Sequence, residues 1–250
     1  MTIHRNAWLA VALLLAACAP SGDGSYQGWV EAEQIFVSPH EPGRIETLAV
    51  REGDAITTGA GLFSLDDELQ QADLKQAQAS ITNARQAFER AQLLLKTAAG
   101  TQKAFEDAEA TLRTSEARFN SSQTRLARRK VASPASGVVQ QIYFRQGEMV
   151  PASRPVLALL PPENIKLRFF LPETTVSAIA IGDTIKVSCD GCAADLTARV
   201  SFIAQTAEFT PPVIYSLEER SKLVFLVEAR PEKPAAFRVG QPVSVSLVKK

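Results

Sequence analysis

Two cysteines close together in the last third of the chain are the first residues whose spacing could support chemistry. Cys189 and Cys192 stand in the string CDGC, and a CxxC spacing serves both redox and metal sites. A redox motif normally opens a helix, whereas this one follows the strand-like run TIKVS and carries Asp-Gly, a hairpin-turn dipeptide. We therefore expect a disulfide across a tight turn; free thiols are the second interpretation and a functional metal or redox site is the third.

Histidine is scarce in this sequence, and its scarcity argues against most hydrolytic and metal chemistry. The chain contains only His4 and His40. A nucleophile such as Ser or Cys needs a histidine beside it, and a histidine-rich metal site needs several. His40 stands beside a turn proline, which is typical of a solvated loop residue. The sequence therefore predicts no catalytic residue, no metal site and no cofactor, and a protein that is not an enzyme.

A third cysteine, Cys18, ends an apolar segment near the amino terminus. His4 and Arg5 precede an apolar run from Ala7 to Ala17, which is shorter than the ~20 residues of a membrane-spanning helix. The run ends in LAAC, which is typical of an export signal with its cleavage site. This string resembles a bacterial lipobox, and the resemblance implies cleavage before Cys18 and acylation of Cys18.

The first 27 residues are therefore predicted to direct the protein to a membrane. Residues 1–17 are predicted to be a lipoprotein signal peptide, and the small polar residues 18–27 a flexible tether. Acyl chains on Cys18 would anchor the mature protein to a membrane, because each buried CH₂ contributes ~0.8 kcal/mol. The inner membrane is the favoured location, and a soluble exported protein with an incidental Cys18 is the alternative.

A helical pattern without proline occupies residues 67–130. Apolar or small residues recur there at the alternating three-and-four spacing of heptad a and d positions, first from Leu74 to Ala98 and again from Phe105 to Leu126. Gly100 lies between the two series, where a left-handed residue could end the first helix. We expect an antiparallel helical hairpin, with one long helix as the alternative.

A repeated β-unit lies on either side of this helical region. GRIETLAVREGDAI, from Gly43, matches GVVQQIYFRQGEMV, from Gly137, at an offset of 94 residues, and a Ser-Pro pair introduces each copy. Neither copy has enough apolar surface to fold alone, so the two should pair in one domain. The sequence predicts that residues 28–66 and 131–163 form this domain and that the hairpin is inserted between its halves.

The remaining residues, 164–250, contain short β-rich runs separated by turns. The runs include IKLRFFL, TIKVSC, LTARVSFIA, KLVFLVEA and PVSVSL. Their spacing predicts a small antiparallel β-barrel, with a short helix in LPETTVSAIAIGD. The fold class is therefore α+β: a split β domain with an inserted helical hairpin, followed by the barrel.

This order of parts resembles the HlyD-type membrane fusion proteins, or periplasmic adaptors, whose lipoyl-like domain is split by a coiled coil. The two repeats look like lipoyl and biotinyl half-motifs, but the hairpin replaces the turn that carries the modified lysine in true carrier domains. The resemblance implies a homo-oligomer, a hexamer in this family, that links an inner-membrane exporter to a TolC-like outer-membrane channel from the periplasm. The short carboxyl-terminal region favours an ABC-type exporter.

The resemblance also implies a contact site at the hairpin tip. Arg90, Leu94 and Thr101 match in order and spacing the Arg-x3-Leu-x6-Ser pattern by which these adaptors engage TolC-like channels, with Thr in place of Ser. The heptads place Arg90 and Leu94 outside the seam, and of the three leucines at 93–95 they require only Leu95 inside.

Charge composition narrows the partners further. The chain has 27 basic and 27 acidic residues, so nothing favours nucleic acid as a partner. Two alternatives stay open: an adaptor for a proton-driven RND-type pump, and a structural coiled-coil lipoprotein unrelated to export.

Overall fold

The computed structural model of the protein describes residues 25–209 and 223–248. The chain divides into two compact units. Glu33–Asn164 forms one of them, which we call the two-sheet unit. The other, the barrel unit, consists of the described residues from Ser25 to Ala32 and from Ile165 onward.

Eight short strands and two long helices build the two-sheet unit. The strands are β2 (Ile35–Val37), β3 (Gly43–Leu48), β4 (Ala55–Ile56), β5 (Gly61–Leu65), β6 (Lys130–Ala132), β7 (Gly137–Ile142), β8 (Met149–Val150) and β9 (Leu157–Leu160). The helices are α1 (Glu68–Lys96) and α2 (Gln102–Ala127), and they stand between β5 and β6.

The eight strands form two four-stranded sheets with a shared pattern. One sheet has the order β2-β9-β7-β4 and the other β6-β5-β3-β8. Each strand of one sheet corresponds to the strand at the same place in the other sheet, 94 residues away in the sequence. The two sheets are therefore the structural counterparts of the two sequence repeats. Each sheet takes two strands from before the helices and two from after them. The halves therefore cannot form their sheets independently.

The turns of the two repeats have the same geometry. Gly53 and Gly147 both have φ of +90°, which favours glycine. The Gly53 N–H donates to the carbonyl of Val139 at 2.8 Å, and the Gly147 N–H donates to the carbonyl of Ile45 at 2.8 Å. Each turn of one repeat is thus hydrogen-bonded to a strand of the other.

A single apolar core lies inside this unit. Its buried members come from both repeats: Val37, Ile45, Val50, Leu62, Phe63, Leu65, Val139, Val150, Val156, Leu157 and Leu159. Gly137 marks a close backbone approach beside this core, because a Cβ there would lie 2.6 Å from the carbonyl oxygen of Leu160. Close packing at Gly137 agrees with the sequence, where glycine begins the strand in both copies.

The two helices pack against each other in antiparallel fashion. Phe88 of α1 contacts Phe105 of α2 with ring centroids 5.3 Å apart, and Arg85 lies 3.6 Å from Glu116. Every heptad position within the two helices is partly or fully buried, with Ala77 and Ala84 buried, whereas most of the other positions are exposed. At 1.5 Å per residue, each helix extends about 40 Å.

The loop between the helices differs from the sequence expectation in one detail. The left-handed residue is Ala98, with φ of +57°, and Gly100 is not in that conformation. Gly100 instead lies close to the end of α1, where a Cβ would come within 3.0 Å of the Leu94 Cβ. At position 100, glycine therefore avoids crowding against Leu94, and its backbone is not in the left-handed region.

The barrel unit is a closed barrel of antiparallel strands, which confirms the prediction for the last third. Its strands are β1 (Ser25–Ala32), β10 (Ile165–Pro172), β11 (Thr184–Ser188), β12 (Leu196–Ile203), β13 (Glu208–Phe209), β14 (Leu223–Pro231) and β15 (Pro242–Leu247). The order β10-β1-β15-β11-β12-β14 is closed by pairing of β14 with β10, and β13 pairs with the start of β14. A short helix, α3 (Glu173–Val176), follows β10 where the sequence predicts one.

The first strand shifts two predicted boundaries. Ser25–Ala32 was expected to belong partly to the tether and partly to the split domain, but it pairs with β10 and β15 of the barrel. Gly28 explains the close fit, because a Cβ there would lie 2.5 Å from the carbonyl oxygen of Arg168. The barrel therefore takes one strand from before the two-sheet unit.

Candidate functional site

The tip of the helical hairpin exposes two neighbouring leucines. Leu93 is 63% exposed and Leu94 is 48% exposed, whereas Leu95 is partly buried at its seam position. The heptad pattern predicts that only Leu95 is needed inside, and it identified Leu94 as surplus. It did not single out Leu93, although Leu93 is the more exposed of the two. The apolar surface at the tip is thus larger than expected.

The backbone around Leu94 is held firmly by the loop that follows it. The Leu94 carbonyl accepts hydrogen bonds from the N–H of Ala99 at 2.9 Å and of Gly100 at 3.0 Å. The Thr97 hydroxyl donates to the same carbonyl at 3.1 Å. These contacts satisfy carbonyl groups that a helix end would leave unpaired. The leucine side chains therefore stand on a defined backbone.

Arg90 and Thr101 flank this apolar surface in different ways. Arg90 is exposed one helical turn before Leu94 and forms no ion pair within the described part of the chain. Thr101 caps α2, since its hydroxyl oxygen accepts a hydrogen bond from the Ala104 N–H at 3.1 Å. In the described ranges, the Thr101 hydroxyl proton has no acceptor. Thr101 and Leu94 therefore lie at the same end of the hairpin, on either side of the loop that contains Gly100.

The opposite end of the hairpin is fixed by Arg129, which the sequence analysis did not identify. Arg129 is 8% exposed. Its Nη1 donates to the carbonyl of Pro42 at 2.8 Å, and its Nη2 lies 3.3 Å from a carboxylate oxygen of Glu41. Arg125 approaches the same carboxylate at 3.6 Å. The basic run from Arg128 to Lys130 was the only sequence signal for this contact.

Glycine makes room for this guanidinium. A Cβ on Gly43 would lie 2.7 Å from Arg129 Nη1, so any other residue would displace Arg129. The backbone carbonyl of Arg129 accepts from the Leu65 N–H at 2.8 Å. The end of α2 is therefore joined to the first half of the two-sheet unit, at the residues before β3 and at the end of β5.

A second ion pair lies at the same end of the hairpin. Arg44 Nη2 is 2.9 Å from Asp66 Oδ2, and the Glu68 N–H donates to Asp66 Oδ1 at 3.3 Å. The hydrogen bond from Arg44, followed by that from the Glu68 N–H, holds the pKa of the Asp66 carboxyl below its usual value. Asp66 is thus ionised at neutral pH directly before α1.

Cys189 and Cys192 lie in the turn between β11 and β12, in the barrel unit. Their Cα atoms are 5.3 Å apart and their sulfur atoms are bonded to each other. The Cys192 N–H donates to the carbonyl of Cys189 at 3.2 Å, and Gly191 has φ of +76°. This is turn geometry and not the start of a helix. The redox state of the pair in the cell stays a prediction.

The remaining predictions concern His40, metal sites, membrane spans and Cys18. His40 is exposed in the loop after β2. Within the described ranges, no group of three His, Cys, Asp or Glu side chains could hold a metal ion. None of the helices in the part of the chain that the structure describes has both the length and the apolar character needed to cross a membrane. Cys18, the predicted lipidation site, lies outside the described residues.

Comparison with known proteins places the two-sheet unit in a known domain type. Residues 33–160 match the family model described as RND MFP, barrel-sandwich hybrid domain, where MFP stands for membrane fusion protein. The matched range begins at the first residue of the two-sheet unit and ends with β9. It includes both helices.

Individual relatives extend this similarity over more of the chain. A UPF0194 membrane protein in the asrC 5′ region of Acidithiobacillus ferridurans is 25% identical, with 92% of this chain and 88% of the relative covered. The toluene efflux pump periplasmic linker protein TtgG of Pseudomonas putida is 28% identical over 114 residues, covering 46% of this chain and 29% of the relative. The membrane fusion protein Spr0693 of Streptococcus pneumoniae shares the fold, with a TM-score of 0.69 at 15% identity and coverage of 90% and 99%.

Proposed function

Because this chain belongs to the family of RND membrane fusion proteins, we propose that it is the periplasmic adaptor of an export system and does no chemistry itself. It links an inner-membrane exporter to a TolC-like outer-membrane channel. An ABC-type exporter is the partner predicted from the sequence. A proton-driven RND-type pump is the second candidate, and the description of the matched domain favours it.

The observation that carries this proposal is the apolar tip of a long hairpin. Leu93 and Leu94 lie at the end of α1 farthest from the sheets, where no core is available to bury them. Single exposed leucines are ordinary, but two adjacent ones on a fixed backbone form a surface suited to a contact. Helical channel walls offer grooves between neighbouring helices that can receive such side chains.

Polar groups beside the leucines would set the orientation of this contact. Arg90 supplies a guanidinium that has no ion pair among the described residues, and Thr101 supplies a hydroxyl proton. In this proposal Leu94 fills a groove of the channel while Arg90 and Thr101 form hydrogen bonds at its rim. Several copies around a ring multiply a contact that is weak in one copy.

The amino-terminal segment completes the assignment. We propose that Cys18 is acylated and holds the protein on the periplasmic side of a membrane, with the inner membrane favoured. Replacement by Cys18→Ala should abolish labelling by a fatty acid and release the protein from membranes on fractionation. Unchanged labelling would contradict the lipid anchor.

The tip is tested by one substitution with a control on the same helix. Leu94→Asp should abolish cross-linking to the outer-membrane channel and stop export, while far-UV circular dichroism and binding to the exporter stay unchanged. The control is Leu69→Asp, because Leu69 is 68% exposed at the other end of α1. It should export normally. Export by Leu94→Asp at the wild-type rate would show that the tip is not the docking site.

The partner itself is identified by a photo-activatable phenylalanine derivative at position 93. Irradiation of cells should join the protein to an outer-membrane channel, identified by mass spectrometry. Export that survives collapse of the proton gradient but stops on ATP depletion would select the ABC-type partner. The reverse result would select the RND-type pump.

A further inference from the structure

The two sheets of the two-sheet unit share one backbone pattern but present different outer surfaces. In the first sheet, Phe36 of β2 pairs with Ala158 of β9. The equivalent pair in the second sheet, 94 residues away for each member, is Lys130 with Ser64. At equivalent positions, the first sheet thus has the aromatic side chain of Phe36 and the second sheet has Lys130.

The first sheet carries an aromatic ridge. Phe36 is 56% exposed and Tyr143 is 41% exposed, and their ring centroids are 6.4 Å apart. Ala158, which pairs with Phe36, is fully buried. Large aromatic side chains commonly anchor protein interfaces, and these two contact each other and are open to solvent. We call Phe36 and Tyr143 the ridge.

The second sheet carries a groove at the corresponding place. Tyr143 is replaced there by Ala49, and each of the two donates its N–H to the carbonyl of a buried core residue: Tyr143 to Val156 at 2.8 Å and Ala49 to Leu62 at 2.9 Å. Without the aromatic rings, a groove of about 280 Å³ opens. Its lining is mainly apolar and includes Thr47, Ala49, Leu62, Phe63, Lys130 and Val131.

The charges beside the two surfaces are opposite in sign. Glu52 lies next to the ridge, where its carboxylate accepts a hydrogen bond from the Ile142 N–H at 2.9 Å. Lys130 lines the groove. Within the described part of the chain, neither Glu52 nor Lys130 forms a salt bridge. An ion pair between two copies would bring these opposite charges together.

We propose that the ridge of one copy of this chain docks in the groove of the next copy. The surfaces are on different sheets, so the contact is head-to-tail and joins unlike faces. Repetition of such a contact generates a ring if the rotation closes. The inference rests on the proposed adaptor function and adds to it a defined interface for the oligomer.

The contact area explains why a ring would be favoured over a pair. An aromatic side chain buries about 150–250 Å² when fully covered, and the ridge residues are about half exposed. Ridge and groove therefore contribute less than the ~800 Å² per partner of a standard interface. One contact should be weak, and closure of a ring would add the contacts together.

Cysteine cross-linking tests the head-to-tail geometry directly. Gln141→Cys places a thiol beside the ridge and Ala49→Cys places one in the groove, both in a full-length Cys18→Ala chain treated with a short bismaleimide. A mixture of the two variants should give cross-linked dimers, and neither variant alone should do so. A chain with both cysteines should give a ladder of trimers and larger species.

Substitutions at the interface supply the controls. Phe36→Asp in the double-cysteine chain should reduce the ladder at least tenfold, and Leu69→Asp should leave it unchanged. If Phe36→Asp fails to fold, Lys130→Glu supplies the test, since it should weaken the ladder and Glu52→Lys should restore it.

Three results would overturn the proposal. These are cross-linked dimers from one variant alone, a ladder unaffected by Phe36→Asp and by Lys130→Glu, and capture of a different protein by the ridge cysteine in membranes. The ladder is measured on purified protein without exporter or channel. A Leu94→Asp chain that fails in export should therefore still form it, which separates failure of the interface from failure of the proposed function.

Discussion

The sheets and the helices of the two-sheet unit are stabilised in contrasting ways. The sheets enclose a core of fully buried side chains from both repeats. The helices bury only Ala77 and Ala84 in α1, and α2 has no buried residue. The hairpin therefore depends on a narrow seam and on polar contacts at its base. Its surface is free to change without loss of the fold, which suits a segment that contacts other proteins.

The largest difference should appear when the same residue is truncated in each region. Leu159→Ala removes a fully buried core side chain and should lower the free energy of unfolding by about 3–5 kcal/mol. Leu112→Ala, at a partly exposed seam position of α2, should cost about 1–2 kcal/mol because water can reach the site. Urea unfolding measures both. Equal costs would show that the seam is packed as tightly as the core.

Close backbone packing within the sheets should give the next largest effect. A side chain on Gly137 meets the Leu160 carbonyl, so Gly137→Val should cost about 2–3 kcal/mol through displacement of β9. Gly61→Val is the matched control, since a Cβ on Gly61 meets nothing within 4 Å and its φ is not positive. Melting temperatures report both variants. If Gly137→Val melts at the wild-type temperature, the backbone approach of Gly137 to Leu160 is not tight.

The base of the hairpin should respond more weakly. Arg129→Ala removes the guanidinium from Glu41 and Pro42 and should cost about 1–3 kcal/mol, less than for a fully buried pair because Glu41 is partly exposed. Hydrogen exchange should increase at the start of α1 and the end of α2. Its neighbour Arg128, which is exposed, provides the control Arg128→Ala. The idea fails if exchange rises equally in both variants.

The smallest effect should be on the pH dependence of stability, through the Asp66 carboxyl. The pKa of Asp66 is lowered in the folded chain, so its ion pair with Arg44 stabilises the fold above the unfolded pKa, about 4. That stabilisation is lost as pH falls through the lowered folded value. Asp66→Asn should therefore be slightly less stable than wild type at pH 7 and equal to it near pH 2. Thermal unfolding across this range gives the comparison, and a constant difference would contradict the linkage.

The regular parts of this molecule could be predicted from the sequence, because each has a strong period. The heptad pattern predicts which residues of α1 and α2 face each other, and the 94-residue repeat predicts the equivalent turns at Gly53 and Gly147. Alternation gave the barrel strands. The prediction that only Leu95 of the three adjacent leucines turns inward at the tip agrees with their exposure.

Features that depend on two distant residues were not predictable. Nothing in the sequence joins Arg129 to Glu41 or Phe36 to Tyr143, since such contacts depend on how the strands interleave. The strand Ser25–Ala32 was misassigned for a similar reason: its alternation fits either unit, and only hydrogen bonding to β10 and β15 decides between them. At the tip, Ala98 takes a conformation that sequence preferences assign to Gly100.

The interleaving of the repeats has a consequence for the order in which the chain folds. The strands of the first half cannot complete a sheet until those of the second half arrive, and long-range pairing of this kind is slow. The helices, by contrast, need only local contacts. Once α1 and α2 pack together, Asp66 and Arg129 are neighbours. Closure of the long loop between the two halves then no longer opposes pairing of their strands, because the helices have already brought its ends together. The hairpin would thus act as an internal folding guide for the sheets before it serves any partner.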